Sequence, residues 1–267
     1  MREVSYTMFL EPSISLSKIV FVSLLVGLGG FVDASAGGGG LITLPAYAVT
    51  GLPMHIIYAA NKFSSACGNT SSSLMFLRKG ALDWQVAAIA AGFSFLGSFL
   101  GTQLVLLLSD EILKILVLVM IPVAALIIFT QQKQVEENQT SNVSLVKKLV
   151  LSGLIGLLIG GYDGLIGPGA GTFAILAFTS ILHIDLRRAS GNAKVLNLAS
   201  NYASLITYII AGNIPYVLAV PCGICNICGA LLGSHIALSK GSKFIRPMML
   251  LVMTLLLIKM VIDLLLF

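Results

Sequence analysis

Four consecutive glycines, Gly37-Gly38-Gly39-Gly40, follow Asp33-Ala34-Ser35-Ala36 inside an apolar run that extends from Ile19 to about Val49. A continuous helix through them would give up about 0.8–1 kcal/mol per residue relative to Ala, so the helix is predicted to break here. The chain is 57% hydrophobic and only 10% charged, with a mean hydropathy of +0.98. Soluble domains carry about 25% charged residues, so this composition excludes one and implies a polytopic membrane protein. In lipid, broken backbone has to be sheltered by protein or line a polar cavity, because unpaired N–H and C=O groups are costly there. The break is therefore expected to mark a binding site.

It occurs twice. Asp163-Gly164-Leu165-Ile166-Gly167-Pro168-Gly169-Ala170-Gly171-Thr172 lies 130 positions after Asp33, and Gly30/Gly160, Gly37/Gly167 and Gly39/Gly169 keep that offset. Beyond it the offset becomes 132, pairing Lys62/Lys194, Asn69/Asn201, Gly80/Gly212, Gly97/Gly229, Gly101/Gly233 and Lys114/Arg246. The expected organisation is one all-α integral membrane domain made of two repeats of about 130 residues. Residues 1–130 form the first transmembrane repeat, 131–147 a polar linker and 148–267 the second repeat. Each repeat reads as a broken segment (18–50; 148–182), a polar-faced helix (54–77; 189–210) and two apolar helices (84–108 and 111–130; 215–238 and 244–266), about eight helical segments in all. Lys18, the apolar run and Ala34-Ser35-Ala36 imitate a signal peptide, but the second copy continues through the same place, so cleavage is not expected.

The net charge of +5 resides mostly at the ends of apolar segments, where it orients the protein in the bilayer; nucleic acid is not an expected partner. Arg78 and Lys79 follow the first polar-faced helix, whereas Arg187 and Arg188 precede the second and Lys240 and Lys243 follow the helix after it. Positive-inside then puts equivalent loops on opposite sides, which is an inverted repeat with Lys133, Lys147 and Lys148 in the cytoplasm. Inversion needs an odd number of crossings per copy, so each broken segment is expected to be a re-entrant hairpin. Eight simple spans in parallel repeats are the alternative.

The polar-faced helices carry the ionisable groups. Lys62, Ser65 and Asn69 share one face, Lys194, Asn197 and Asn201 repeat the spacing, and Asn61 and Asn192 lie close by. A lysine at this depth costs about 2.5–3.5 kcal/mol on insertion scales, so it should face the bundle interior. If short helices restart near Leu41 and Thr172, the N–H groups of Gly38, Gly39, Gly40, Gly169 and Gly171, with the Thr172 hydroxyl, form an anion site, and Lys62, Lys194 and the asparagines of both polar faces are expected to bind the anion there. Asp33 and Asp163 are candidates for proton coupling or gating; the alternative is that Asp33–Lys62 and Asp163–Lys194 are salt bridges inside each repeat.

Cys222, Cys225 and Cys228 have the spacing of an iron–sulfur run, but the first repeat has Ala90, Phe93 and Leu96 in their places, so small-residue packing is expected and no cofactor is called for. His55, His183 and His235 are isolated and lack metal-ligand spacing. Gly97/Gly101 and Gly229/Gly233 are G-x-x-x-G pairs for close helix approach, within one protomer or in a homo-oligomer. Trp84 reads as an interfacial anchor, and the triplets at Asn138 and Asn142 as chance matches to a glycosylation site.

With these residues assembled, the chain resembles the TauE/SafE family of sulfite exporters and anion permeases. The resemblance rests on Gly30-Phe31-Val32-Asp33 running into Gly37 to Pro45, on Asn61-Lys62-Phe63, on Tyr162-Asp163-Gly164 with the following glycines, on Ala193 to Asn201, and on Phe244-Ile245-Arg246-Pro247. It implies a multi-pass permease of the bacterial cytoplasmic (inner) membrane for sulfite, a sulfonate or a related sulfur anion. The expectation is a secondary transporter working by alternating access, with no enzymatic activity and with the small anion, the bilayer and a coupled proton as partners. Rival readings are a passive anion channel, a permease for carboxylates, and a redox or sulfur-transfer enzyme using the three cysteines.

Overall fold

The computed structural model describes residues 14–113, 115, 116, 119, 144–251 and 254. Most of the leader, of helix 111–130 and of the linker, the tail of helix 244–266, and Asn138 and Asn142 lie outside these residues. Among the described residues every regular element is helical: α1 (Leu16–Ala36), α2 (Gly40–Ala48), α3 (Met54–Arg78), α4 (Trp84–Leu107), α5 (residues 110–113), α6 (Leu145–Leu165), α7 (Ala170–Ser180), α8 (Leu186–Ile210), α9 (Tyr216–Lys240) and α10 (residues 242–251). α6 starts three residues before the expected start of the second repeat because the Ser144 hydroxyl accepts from Lys147 N and caps it. α8 starts at Leu186, earlier than the apolar pattern suggests, because Asp185 caps it by accepting from Arg188 N at 3.0 Å.

Among the described residues four helices, α1, α4, α6 and α9, are long and apolar enough to cross a membrane. α3 and α8 match them in length, 25 residues each, or roughly 38 Å against a hydrocarbon core about 30 Å thick. Their polar stripes lower their hydropathy and face inward, where Lys62, Asn69, Lys194 and Asn201 are buried. The outer surface is the reverse: Leu28, Leu96, Leu100, Leu154, Leu158 and Leu232 are exposed, as suits a lipid solvent. α2 and α7, with 9 and 11 residues, are half-length helices of about 14–17 Å.

The halves interlock. α1 lies beside α9 and runs the same way, with Ser23 meeting Cys222, Gly27 meeting Cys225 and Phe31 meeting Gly233. α4 and α6 pair likewise through Ala90/Gly156, Ser94/Gly160 and Ser98/Gly164. α3 follows α9 in direction, with Phe63 by Tyr216 and Gly68 by Asn226. α8 follows α4, with Ser94 donating to Leu196 O, Ser98 to Ser200 O and Thr102 meeting Ser204. Because only the turn from Lys79 to Asp83 separates α3 from α4, α1, α3 and α9 point one way and α4, α6 and α8 the other. Asp83 joins three helix starts at one end: Lys148 Nζ lies 2.5 Å from its carboxylate, and its own N–H donates to Asn192 Oδ1 at 2.8 Å. This end carries Arg78, Lys79, Lys147, Lys148, Arg187, Arg188, Lys240 and Lys243, whereas Lys18, Asp110 and Glu111 lie at the other.

Both G-x-x-x-G pairs are spent inside the protomer. A Cβ on Gly97 would fall 2.2 Å from Leu157 O, and one on Gly229 would fall 1.8 Å from Gly27 O. Backbone cannot yield as a flexible side chain does, so the contact is open to glycine alone. Gly97→Ala and Gly229→Ala should each destabilise the detergent-solubilised protein by about 1–3 kcal/mol. Gly92→Ala, with nothing within 4 Å of the new Cβ, should be neutral or stabilising by up to about 1 kcal/mol; thermal unfolding of the three variants checks both.

Candidate functional site

α1 ends where Gly37 adopts φ 81° and returns its N–H to Asp33 O, a left-handed cap that favours glycine. α6 gives way to α7 through Gly167 (φ 93°) and Gly169 (φ 82°). The two breaks touch: a Cβ on Gly37 would fall 2.2 Å from the Gly171 carbonyl carbon, and one on Gly40 would fall 3.0 Å from Pro168 Cα. Thr172 Oγ1 ties them by donating to Ala36 O at 2.8 Å. The restarts expected near Leu41 and Thr172 fall at Gly40 and Ala170.

Between the breaks lies a cavity of about 20 Å³, lined by the Asp33 and Asp163 carboxylates, by Gly37, Gly40, Gly167, Ala170 and Gly171, and by the polar stripes of α3 and α8. Such a volume holds about one water. Asn61, Ser65 and Asn69 face it from α3, and Asn197 and Asn201 from α8. Asn69 Oδ1 and Asn197 Oδ1 are buried without a partner among the described residues.

The lysines cross over. Lys62 Nζ lies 2.8 Å from Asp163 Oδ2 and donates to Asp163 O at 2.6 Å. Lys194 Nζ lies 3.7 Å from Asp33 Oδ2 and donates to Asp33 O. Each lysine thus neutralises a carboxylate of the other half and caps the C-terminal carbonyls of the helix that carries it. This replaces Asp33–Lys62 and Asp163–Lys194, the pairs expected inside each repeat.

The sequence profile described as Sulfite exporter TauE/SafE matches residues 22–260. The chain belongs to this family. The probable membrane transporter protein YfcA of Escherichia coli K12 is 31% identical over 258 residues, 96% of this chain and 93% of its own length. A probable membrane transporter protein of Haemophilus influenzae is 35% identical over 87% of this chain and 90% of its own. No solved structure matches. This TauE/SafE chain is a multi-pass membrane transporter.

Several residues that the sequence singles out do not reach the cavity. Asn192 belongs to the basic end, where it holds Asp83 N. The Thr172 hydroxyl is taken by Ala36 O, so it pins the breaks together. Gly39 N–H donates to Asp33 Oδ1 at 3.3 Å; Gly38 and Gly169 do not line the cavity, and neither lysine ammonium does. The lining residues that sequence reasoning passed over are Gly37, Gly167 and Ala170. Ser200 also escaped it: its hydroxyl donates to Asp163 Oδ2 at 2.5 Å and joins the Lys62 pair.

The electrostatics follow from these bonds. Two lysines balance two aspartates, and the carbonyl ends of α1 and α6 are capped. The amides of Gly40, Gly171 and Thr172 donate to no acceptor among the described residues, so the N-terminal ends of α2 and α7 keep free N–H donors at the breaks. The three cysteines do not converge on it: Cys222 Sγ meets Ser23 Oγ at 3.4 Å, Cys225 packs on Gly27 and Cys228 is exposed. His55 sits beside Asp110 at 3.6 Å, at the acidic end.

Removing one partner of a buried pair strands the other charge. Lys62→Met should destabilise the protein by about 3–5 kcal/mol, with partial rescue by Asp163→Asn and none by Asp33→Asn. Lys194→Met should cost less, since the Asp33 side chain is 23% exposed against 8% for Asp163. Unfolding midpoints of the single and double variants measure the crossing.

Proposed function

We propose that the protein is a secondary transporter for a small anion, sulfite or another sulfur oxyanion or organosulfonate, that works by alternating access between two inverted repeats. The observation that carries this reading is the meeting of two helix N-terminal ends, with free amides at Gly40, Gly171 and Thr172, across a cavity furnished with four asparagines. Amides and hydroxyls that converge on one point match the three oxygens of a pyramidal or tetrahedral sulfur oxyanion. The description of the family, sulfite exporter, agrees with that class of ligand.

Inverted repeats are supported by helix direction. Each helix of the first half runs opposite to its equivalent in the second, α1 to α6, α3 to α8 and α4 to α9, whose starts follow theirs by 129 to 132 positions. α2 and α7 turn back as half-length helices, which makes each broken segment a re-entrant hairpin. Thr70 and Tyr202, 132 positions apart, meet at 3.0 Å, as equivalent residues do beside an internal two-fold axis. Positive-inside makes the end with Arg78, Lys148, Arg187 and Lys240 cytoplasmic.

A cavity for one water has to widen before it takes sulfite, and the contact of Gly37 with Gly171 is where the halves part. In this reading Asn61, Ser65, Asn69, Asn197, Asn201 and the amides at the breaks hold the anion. Lys62 and Lys194 neutralise the carboxylates beside it and turn to it as the pairs loosen. Asp33 is the gating carboxylate: protonation releases Lys194 to the anion, which couples anion movement to a proton.

The test is sulfite flux into proteoliposomes with and without an imposed pH gradient. Asn69→Ala and Asn197→Ala should each raise KM about tenfold, the worth of a hydrogen bond to a charged ligand, while leaving the unfolding midpoint unchanged. Asp33→Asn should remove the response to the gradient. Flux of carboxylates in place of sulfite would keep the transporter and replace the ligand; ohmic current would replace alternating access by a channel.

A further inference from the structure

The stripe on α3 runs from Tyr58 through Lys62, Ser65 and Asn69 to Phe76, in steps of three, four and seven. Its equivalent on α8, each member 132 positions later, runs from Ser190 through Lys194, Asn197 and Asn201 to Tyr208. The two helices point in opposite directions, so the start of one stripe lies beside the end of the other. Tyr58 and Tyr208 accordingly share one buried cluster, at the end that carries Asp110 and Glu111. Phe76 belongs to a second cluster at the basic end, with Ala189 and Ala193 on either side of Ser190.

Tyr58 and Tyr208 are both 0% exposed, and neither hydroxyl has a partner among the described residues. Their neighbours show that this is not the habit of tyrosine in this protein: Tyr47 pairs with Ser64 Oγ at 2.9 Å and Tyr162 donates to Pro168 O at 2.7 Å. A buried O–H without an acceptor is a penalty that phenylalanine would avoid, and Phe76 shows that the stripe accommodates a phenylalanine at the position equivalent to Tyr208. Tyr58 lies one turn before Asn61, and Tyr208 two turns after Asn201, on the stripes that line the central cavity.

We propose that the Tyr58 and Tyr208 hydroxyls form a second oxyanion subsite, on the path between the central cavity and the acidic end of the bundle. This rests on the anion-transporter reading above. Two neutral donors suit a station of transit, since they bind an oxyanion's oxygens well enough to draw it from the centre and weakly enough to release it. The other end of the stripes has Phe76 and Ser190 in the equivalent places, and there the unpartnered hydroxyls, those of Ser73 and Ser190, belong to serines, so the tyrosine pair is particular to the acidic end among the described residues.

The experiment compares wild type with Tyr58→Phe, Tyr208→Phe and the double variant in vesicles of known protein orientation, with sulfite as the probe and KM measured from each face. The expected result is a KM about five- to tenfold higher at the acidic face for each single variant, the factor for one lost hydrogen bond. KM at the basic face should stay within about twofold, and the unfolding midpoint should be unchanged or raised, as for removal of an unsatisfied donor. An unchanged KM at both faces overturns the subsite while wild-type flux upholds the transporter. So does a lowered midpoint with KM altered equally on both sides, which would mark the hydroxyls as structural. Absence of sulfite flux in wild type removes the anion reading and the subsite with it, and is recognised because the parent protein itself is then inactive.

Discussion

Two interrupted helices inside a bilayer leave backbone groups with no water to turn to, and the remainder of the structure depends on how those groups are met. The carbonyl ends of α1 and α6 are met by lysine ammoniums, each reaching across from the opposite half to a backbone oxygen and to the carboxylate of the same aspartate. A lone lysine at this depth is expensive and a lone aspartate equally so. Together with a capped helix end they form a neutral unit, and because each unit spans both halves, neither half has a complete interior without the other. At the amino ends of α2 and α7 the amides of Gly40, Gly171 and Thr172 have no acceptor among the described residues.

This division decides the rest of the packing. Lipid tails are as apolar as leucine, so burial of apolar surface gives little drive for helices to associate, and close contact has to come from shape and hydrogen bonds. α1 against α9 and α4 against α6 use glycine faces that bring backbone to backbone. α4 against α8 uses hydroxyls, with Ser98 and Thr102 both meeting Ser204, at 2.8 and 2.7 Å. The helices that position the site are therefore bound by contacts that persist in a membrane, and the breaks are held between them.

Much of this was legible in the sequence, for identifiable reasons. Glycine runs in an apolar segment have one physical reading, and the Lys/Asn spacing on α3 and α8 admits only one face. The crossing of the ion pairs was not legible, because two equivalent copies make Lys62–Asp33 and Lys62–Asp163 the same pattern in one dimension. Asn192 was within reach: it lies two positions from Lys194, and residues at i and i+2 do not share a helix face, so its diversion to Asp83 could have been anticipated. Asn61 is adjacent to Lys62 and still reaches the cavity, because α2 packs on that side and Thr43 Oγ1 holds its amide at 2.6 Å. Ser200 left no trace, since its counterpart in the first half is Gly68.

That last difference makes the two ion pairs unequal. Asp163 is held by Lys62 at 2.8 Å and by the Ser200 hydroxyl, and its side chain is almost fully buried. Asp33 has Lys194 at 3.7 Å and one long bond from Gly39 N–H, and is partly exposed. In a low-dielectric interior an ion pair with fewer and longer bonds is the weaker of the two. The two units that join the halves are thus alike in chemistry and unequal in strength.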